Sequence, residues 1–359
     1  MKIIHRYVLA QFLKIWLLAL LSFTSIYLVV DFFEKIDNFL ESGLSLGRAI
    51  QFFIASAPFV VFQMAPVAVL VGVLIAVGLL ARDSEIVAMK AGGISLAGLS
   101  APLVLAALAI SALMFLLSET VIPETSTKAN AIWNVEVEKD AAAGSRIKRD
   151  IWLRASGGIF HFEAYDQDRE RLEGVSGFFF GKGFRLEKRI VAESARPVDG
   201  KWELFRGQVK TFGPPGDIRL ESFDRRAVDL PPAPQNYDLK NRSADEMSSR
   251  ELWVGVNRMA AEGYDSLRHR VEFQMKFSFP FICVVMAFLG LPIAFWKEKG
   301  GGIALGIAAG IGLSFAYLVV LGLSRALGYA GLLAPLAAAW LPNLLFLTLG
   351  LFLFSQVRQ

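Results

Sequence analysis

Uncharged stretches divide the chain. Ala49–Ala81 is a run of 33 residues without a charge and Ala91–Ser118 another of 28; Phe277–Trp296 (20), Gly300–Ser324 (25) and Ala326–Val357 (32) follow near the C-terminal end. Close to the start, Ile15–Phe33 spans 19 residues with Asp31 as its only charge. A helix needs roughly 20 apolar residues to cross a hydrocarbon core of ~30 Å, so six membrane spans are predicted. Three precede a long polar segment and three follow it.

That polar segment holds 52 of the 70 charged residues, 26 of each sign between Glu119 and Lys276. It reads as a water-soluble, nearly neutral block. Glu119, Pro123 and Glu124 mark the exit of span three, and a helix is expected to continue to about Glu138. Beyond Arg146 the apolar period becomes two, the mark of strands. Phe160, Phe162 and Ala164 alternate with His161 and Glu163; Phe184, Leu186, Ile190 and Ala192 share one parity; Trp202 with Leu204 and Ile218 with Leu220 follow. Turn signals at Ser156-Gly157-Gly158, Asp199-Gly200 and Gly213-Pro214-Pro215-Gly216 separate them. Short strands so spaced predict a small all-β domain, a sandwich or jelly roll. Pro231-Pro232-Ala233-Pro234 then breaks regular structure. Ser248 and Glu251 stand in capping-box relation, opening a helix with Leu252, Val256 and Met259 on one face and Gly263 at its close. The predicted fold is an α-helical membrane protein with six transmembrane helices (3+3) and an inserted periplasmic β-jelly-roll-like domain. Its segments are 1–122, carrying a short polar insert at about 82–93, then 123–267, then 268–359.

The insert separates two membrane-length runs, holds Arg82, Asp83, Glu85 and Lys90, and ends in Gly92-Gly93. Basic residues in short loops set the orientation. With the N-terminus cytoplasmic, Lys2, Arg6, Lys14, Arg82, Lys90, Lys297, Lys299 and Arg358 lie inside, against Lys35, Arg48 and Arg325 outside. Both termini and the insert then face the cytoplasm, and the β domain does not. The first span reads as an uncleaved anchor because its apolar run exceeds a signal-peptide core. Pro58 and Pro66 mark a static kink or a hinge in span two. Gly302, Gly306 and Gly310 predict a closely packed face on span five, and Arg325 is taken as its end.

The candidate chemistry is sparse. No G-x-x-x-x-G-K-[ST], H-E-x-x-H, C-x-x-C or G-x-S-x-G occurs, so ATP hydrolysis, a metal centre or acyl-transfer catalysis by this chain is not expected. The histidines (His5, His161, His269) lie outside the spans, and Cys283 is the single cysteine. The chain reads as not an enzyme. Its excess of basic residues sits at membrane flanks, with no nucleic-acid footprint. Lys35, Lys128, Arg268, Arg270, Lys276 and Arg325 fall at outer span ends. They are either snorkelling anchors or a ring that binds lipid phosphate. In the insert, Glu85 is either a solvated helix charge or, flanked by Ile86, Val87 and Met89, a docking point for another protein; Arg82, Ser84, Glu85 and Met89 are the candidate docking residues.

The ordered features resemble a known family. His5-Arg6-Tyr7-Val8, Leu80-Ala81-Arg82-Asp83-Ser84-Glu85 leading to Met89-Lys90-Ala91-Gly92-Gly93, Gly200-Lys201-Trp202-Glu203-Leu204 and Lys276-Phe277-Ser278-Phe279-Pro280 are similar to the lipopolysaccharide-export permeases of the LptF/LptG (YjgP/YjgQ) type, nearer the LptG members. The resemblance implies a bacterial inner-membrane subunit that pairs with a homologous six-span permease on a cytoplasmic ABC ATPase dimer. It implies lipopolysaccharide as substrate, handed to periplasmic jelly-roll bridge proteins, with ATP bound by the partner ATPase and no cofactor in this chain. It places Glu85 at the acidic position of a coupling helix, and Lys276 and Arg268 at basic positions around the start of span four. Where LptG members can carry several lysines at the outer end of span one, this sequence has Asp31, Glu34 and Asp37 with only Lys35. A membrane scaffold that couples to an ATPase without carrying lipid is the alternative reading.

Overall fold

The computed structural model describes residues 3–138, 147–155, 158–166, 169–181, 183, 185–198, 201–213, 218–228, 242–261, 266–296 and 303–357. Outside them lie the turns expected at Ser156-Gly157, Asp199-Gly200 and Pro214-Gly216, the Pro231–Pro234 break, Gly263, Lys297–Gly300, and the positions of Phe184 and Gly302. The chain divides into two compact units, Met1–Ile132 with Ser243–Trp253 and Leu267–Gln359, and Trp133–Arg242 with Val254–Ser266.

The first unit is helical: α1 (Ile3–Ser42), α2 (Leu46–Arg82), α3 (Glu85–Ala91), α4 (Leu96–Ala131), α6 (Leu267–Trp296), α7 (Ile303–Tyr329) and α8 (Pro335–Ser355), with the start of α5 (Ser249–Ala261). Six of these are long and apolar enough to cross a membrane: α1, α2, α4, α6, α7 and α8. Helices apolar on all sides belong in the interior of a bundle, and α2 and α6 are the most buried of the spans. Phe62 of α2 stacks on Phe279 of α6 with centroids 4.7 Å apart. Gly72 admits α1 closely: a Cβ there would lie 3.2 Å from both Phe12 and Trp16. Polar side chains then join helices where apolar packing against lipid gives little preference. The Tyr317 hydroxyl of α7 donates to Asn343 Oδ1 of α8 (2.9 Å), and Asn343 Nδ2 donates to the Ser278 carbonyl of α6 (2.8 Å), all three residues being buried.

In α7 the expected close packing is seen at one of the described glycines, and the end of the helix changes. A Cβ at Gly310 would lie 2.3 Å from Leu74, whereas Gly306 and Gly312 face open space. Among the described residues, Gly310 carries the close approach to α2 within this chain. The helix also runs past Arg325 to Tyr329. Arg325 is satisfied by a carboxylate and does not stop it; the turn comes at Gly331, where φ is +75°.

The second unit contains β1 (Ile147–Ala155), β2 (Gly158–Asp166), β3 (Arg171–Phe180), β4 (Leu186–Val198), β5 (Lys201–Phe212) and β6 (Ile218–Val228). All neighbours are antiparallel and pair in chain order, β1-β2-β3-β4-β5-β6. The period-two pattern holds along part of β2, β4 and β5 and then changes phase. Phe160 and Phe162 are buried, but so is Tyr165; Ile190 and Ala192, but also Ala195; Trp202 and Leu204, but then Val209. The change falls on one row across the sheet, Glu163–Gly174–Glu193–Arg206–Asp224, which the ladders step over without losing register. Gly174 and Arg206 on this row have φ of +60° and +48°. An extra residue at the same level in β2 to β5 keeps one face inward on both sides of the row, as a bulge does. Residues from both sides form a single core, including Phe162, Ile190, Leu172 and Trp202. A single antiparallel meander in chain order is the form the inserted β domain takes among the described residues.

Candidate functional site

The insert between α2 and α4 is built by turn chemistry. Helix α2 closes with Asp83 N–H on the Leu79 carbonyl (3.0 Å) and Ser84 N–H on the Ala81 carbonyl (3.1 Å). Ser84 then takes φ +60°, which redirects the chain into α3. A non-glycine residue in the left-handed region is uncommon. Glu85 opens α3 and Lys90 lies in its last turn, the charge order a helix dipole favours. Gly93, at φ +81°, ends it, with Gly93 N–H on Lys90 (2.9 Å) and Ile94 N–H on Met89 (3.0 Å). Ser95 caps α4 by accepting from Gly98 N–H at 3.1 Å.

Seven residues cannot hold a helix by propensity alone; burial holds this one. Ile86 is completely buried in the core of the bundle and Met89 packs partly against the same core. Arg82, Asp83, Ser84, Val87 and Ala88 are exposed, Val87 at 60%. Glu85 is half-buried, and the Tyr7 hydroxyl of α1 donates to its Oε1 at 3.0 Å. Of the four candidate docking residues, Arg82 and Ser84 are presented outward, Glu85 is held against α1, and Met89 turns inward. The apolar side chain on display is Val87. Tyr7 was not among the candidates; its place in the His5-Arg6-Tyr7-Val8 stretch was the only signal.

The opposite ends of the spans carry the other candidates, which the structure distributes among separate places. Arg325 Nε donates to Glu272 Oε1 (3.0 Å) and to the Tyr329 hydroxyl (2.6 Å). Tyr329 also meets Glu272, and Arg268 lies over the Tyr329 ring at 5.5 Å. This cluster ties α6 to α7 and brings Arg268 and Arg325 together. Lys276 is 8% exposed and donates to the Ser118 carbonyl of α4 at 3.2 Å. The next residue, Glu119, accepts from both Ser249 N–H (3.0 Å) and Ser249 Oγ (2.8 Å) at the start of α5. The expected capping box is present there, with Ser248 N–H on Glu251 (2.9 Å) and Glu251 N–H on Ser248 Oγ (3.3 Å). Asn130 of α4 donates to Ser243 Oγ (3.1 Å) and to Glu246, which fixes the segment leading into α5. Lys35 pairs with Asp31 one turn back at 2.7 Å and stands 5.2 Å over the Phe52 ring. Lys128, in the last turn of α4, is exposed.

Comparisons with known proteins show which family this chain is similar to. The LptG lipopolysaccharide export system permease protein of Escherichia coli K12 is 22% identical over 345 residues, 95% of this chain and 93% of that protein. That of Haemophilus influenzae Rd is 23% identical over 364 residues, covering 99% of each. The family described as lipopolysaccharide export system permease LptF/LptG matches residues 6–356. A match over residues 6–356 runs through nearly the whole of both units, and the chain belongs to the LptF/LptG lipopolysaccharide export system permease family.

Proposed function

We propose that this chain is the permease subunit of an ABC-type lipopolysaccharide exporter, an LptG-like partner to a second, homologous six-span subunit. A separate cytoplasmic ATPase dimer binds and hydrolyses ATP; this chain supplies no cofactor site and no catalytic group. It lies in the bacterial inner membrane with both termini and the insert cytoplasmic and the β domain periplasmic. Lipopolysaccharide leaves the membrane past the outer ends of the spans and passes to periplasmic jelly-roll bridge proteins.

One observation carries the reading. The insert is a short helix rooted in the bundle core through Ile86, with Ser84, Val87 and Ala88 exposed and the half-buried Glu85 carboxylate bonded to Tyr7 at its start. A helix so rooted transmits a push to α2 and α4, because packed interiors yield little. Substrate phosphate would meet the outer cations in two ways. Lys128 is available directly, whereas Arg325 and Arg268 reach phosphate by exchange with Glu272 and Tyr329. Lys35 likewise exchanges Asp31, and Lys276, being buried, supports the α4–α6 contact behind the surface.

The test is co-purification from bacterial membranes in detergent, wild type beside Glu85→Ala, with proteins and lipid identified by mass spectrometry. An ATPase, a second six-span subunit and lipopolysaccharide are expected with the wild type, and loss of the ATPase with the variant. Unchanged ATPase association and export in Glu85→Ala would refute docking at this helix. Lipid absent from photocrosslinks placed at Lys128 and Arg325 would favour the scaffold reading.

A further inference from the structure

The contact between Tyr7 and Glu85 joins residues 78 positions apart, at the start of the first span and the start of the insert. Its position is set by rigid packing on both sides. Val8, next to Tyr7 on α1, and Phe12, one turn further on, are buried in the same core as Ile86, next to Glu85, and Leu80 near the end of α2. Phe12 and Trp16 press on α2 at Gly72. The depth of Tyr7 along the bundle and the depth of Glu85 are therefore both fixed. The phenol is the polar group of α1 that meets the carboxylate.

A carboxylate has two oxygens and about four acceptor positions. Tyr7 occupies Oε1 of Glu85. The arrangement leaves Oε2 for a donor from outside. A free glutamate at an exposed helix start samples several rotamers, and a partner cation must select one of them. The phenolic donor makes that selection before the partner arrives, and it leaves the negative charge intact.

We infer that Tyr7 is a positioning residue for the coupling carboxylate: its hydroxyl orients Glu85 for a cationic donor on the partner ATPase and links the start of α1 to the docking helix. The inference rests on the docking reading above. It goes further by making the first span, and not only α2 and α4, a receiver of the partner's motion.

The experiment is a double-mutant cycle on the full-length permease complex in detergent. The co-purifying ATPase is titrated back onto complexes stripped of it, and its dissociation constant is measured. Tyr7→Phe keeps the ring and its packing and removes only the donor. Glu85→Asp keeps the charge and withdraws it from the hydroxyl by one methylene. Tyr7→Phe is expected to weaken ATPase binding about fivefold when Glu85 is intact, the scale of the net contribution of one ordinary hydrogen bond, and to have no further effect when combined with Glu85→Asp. Equal affinity of Tyr7→Phe and wild type, or the same loss in both backgrounds, would overturn the inference. Glu85→Ala is titrated in parallel: if it binds as wild type, the docking reading itself fails, whereas weak binding by Glu85→Ala with normal binding by Tyr7→Phe refutes only the role of Tyr7.

Discussion

Replacing Ile86 by alanine should release the insert helix from the bundle while leaving the spans folded. Ile86 is 0% exposed and is the buried anchor of the seven-residue helix α3. The substitution removes three buried carbons. At about 0.8 kcal/mol per buried methylene the transfer loss is about 2.4 kcal/mol, and the unfilled cavity raises it to roughly 3–4 kcal/mol. Nothing local offsets that loss, because an isolated helix of this length is unfavourable in water. The opening that exposes Ile86 should thus become more frequent by about two to three powers of ten, at 1.4 kcal/mol per tenfold. Native-state hydrogen exchange in detergent reads this directly. The amides to follow are Ala88, Gly92 and Ile94, which bond to Ser84 (3.1 Å), Ala88 (3.0 Å) and Met89 (3.0 Å). Their exchange should accelerate together, with amides in the middle of α2 unchanged. Acceleration of less than about fivefold would mean that Ile86 does not hold the helix, and the argument for a rooted coupling element would fall.

Other substitutions test the packing that carries the site. A Cβ at Gly207 would lie 2.4 Å from the Val191 carbonyl oxygen and 2.6 Å from the Phe223 ring, so Gly207→Ala should destabilise the β domain by about 3 kcal/mol and expose it to limited proteolysis. Gly183→Ala, at φ +76° with no atom within 4 Å, should cost only about 1 kcal/mol of backbone strain and resist cleavage like wild type. Asn343→Leu removes both bonds that join α6, α7 and α8; a loss of about 1–2 kcal/mol is expected for such contacts in a membrane, read as a lower Tm in detergent, with Tyr317→Phe adding little on top. Glu119→Ala frees the first residue of α5 from α4 and should speed amide exchange at Ser249 through Leu252; unchanged exchange there would show that the contact is not structural.

Much of the architecture was written in composition, because a bilayer imposes length and apolarity on each span. The capping box at Ser248 and Glu251 was legible for the same kind of reason: it is local, and two side chains one turn apart settle it. The strand β3 was not legible. Leu172 and Val175 are both buried but differ in parity, since the left-handed Gly174 between them adds a residue to the strand. A period-two search loses the strand at that point. The row of such residues depends on five strands being in register, which no window along the chain contains.

The candidate site residues divide along the same line. Glu85 stood out as a charge between two membrane-length runs, but its environment depended on a residue far away in sequence. The sequence expectation offered Ile86, Val87 and Met89 together as apolar flanks of a docking carboxylate. Three residues within about one turn cannot all face a partner on a helix that also packs on its own bundle. Burial of Ile86 decides the rotation of α3, which turns Met89 inward and leaves Val87 outside. The outer cations show the complementary case. Six basic residues near span ends suggested a ring by sign alone, but sign does not reveal the countercharge. Arg325 is held by Glu272, 53 positions away, and Lys35 by Asp31, four away. A lipid phosphate bound at these places, as proposed, would replace a carboxylate and not fill an empty positive site, so its strength would be a difference between two ion pairs. It follows that Glu272→Gln should strengthen, not weaken, lipid phosphate binding at Arg325. Photocrosslinking yield of lipopolysaccharide beside Arg325, compared between wild type and Glu272→Gln, measures this, and a lower yield in the variant would show that Glu272 positions the arginine instead of competing for it.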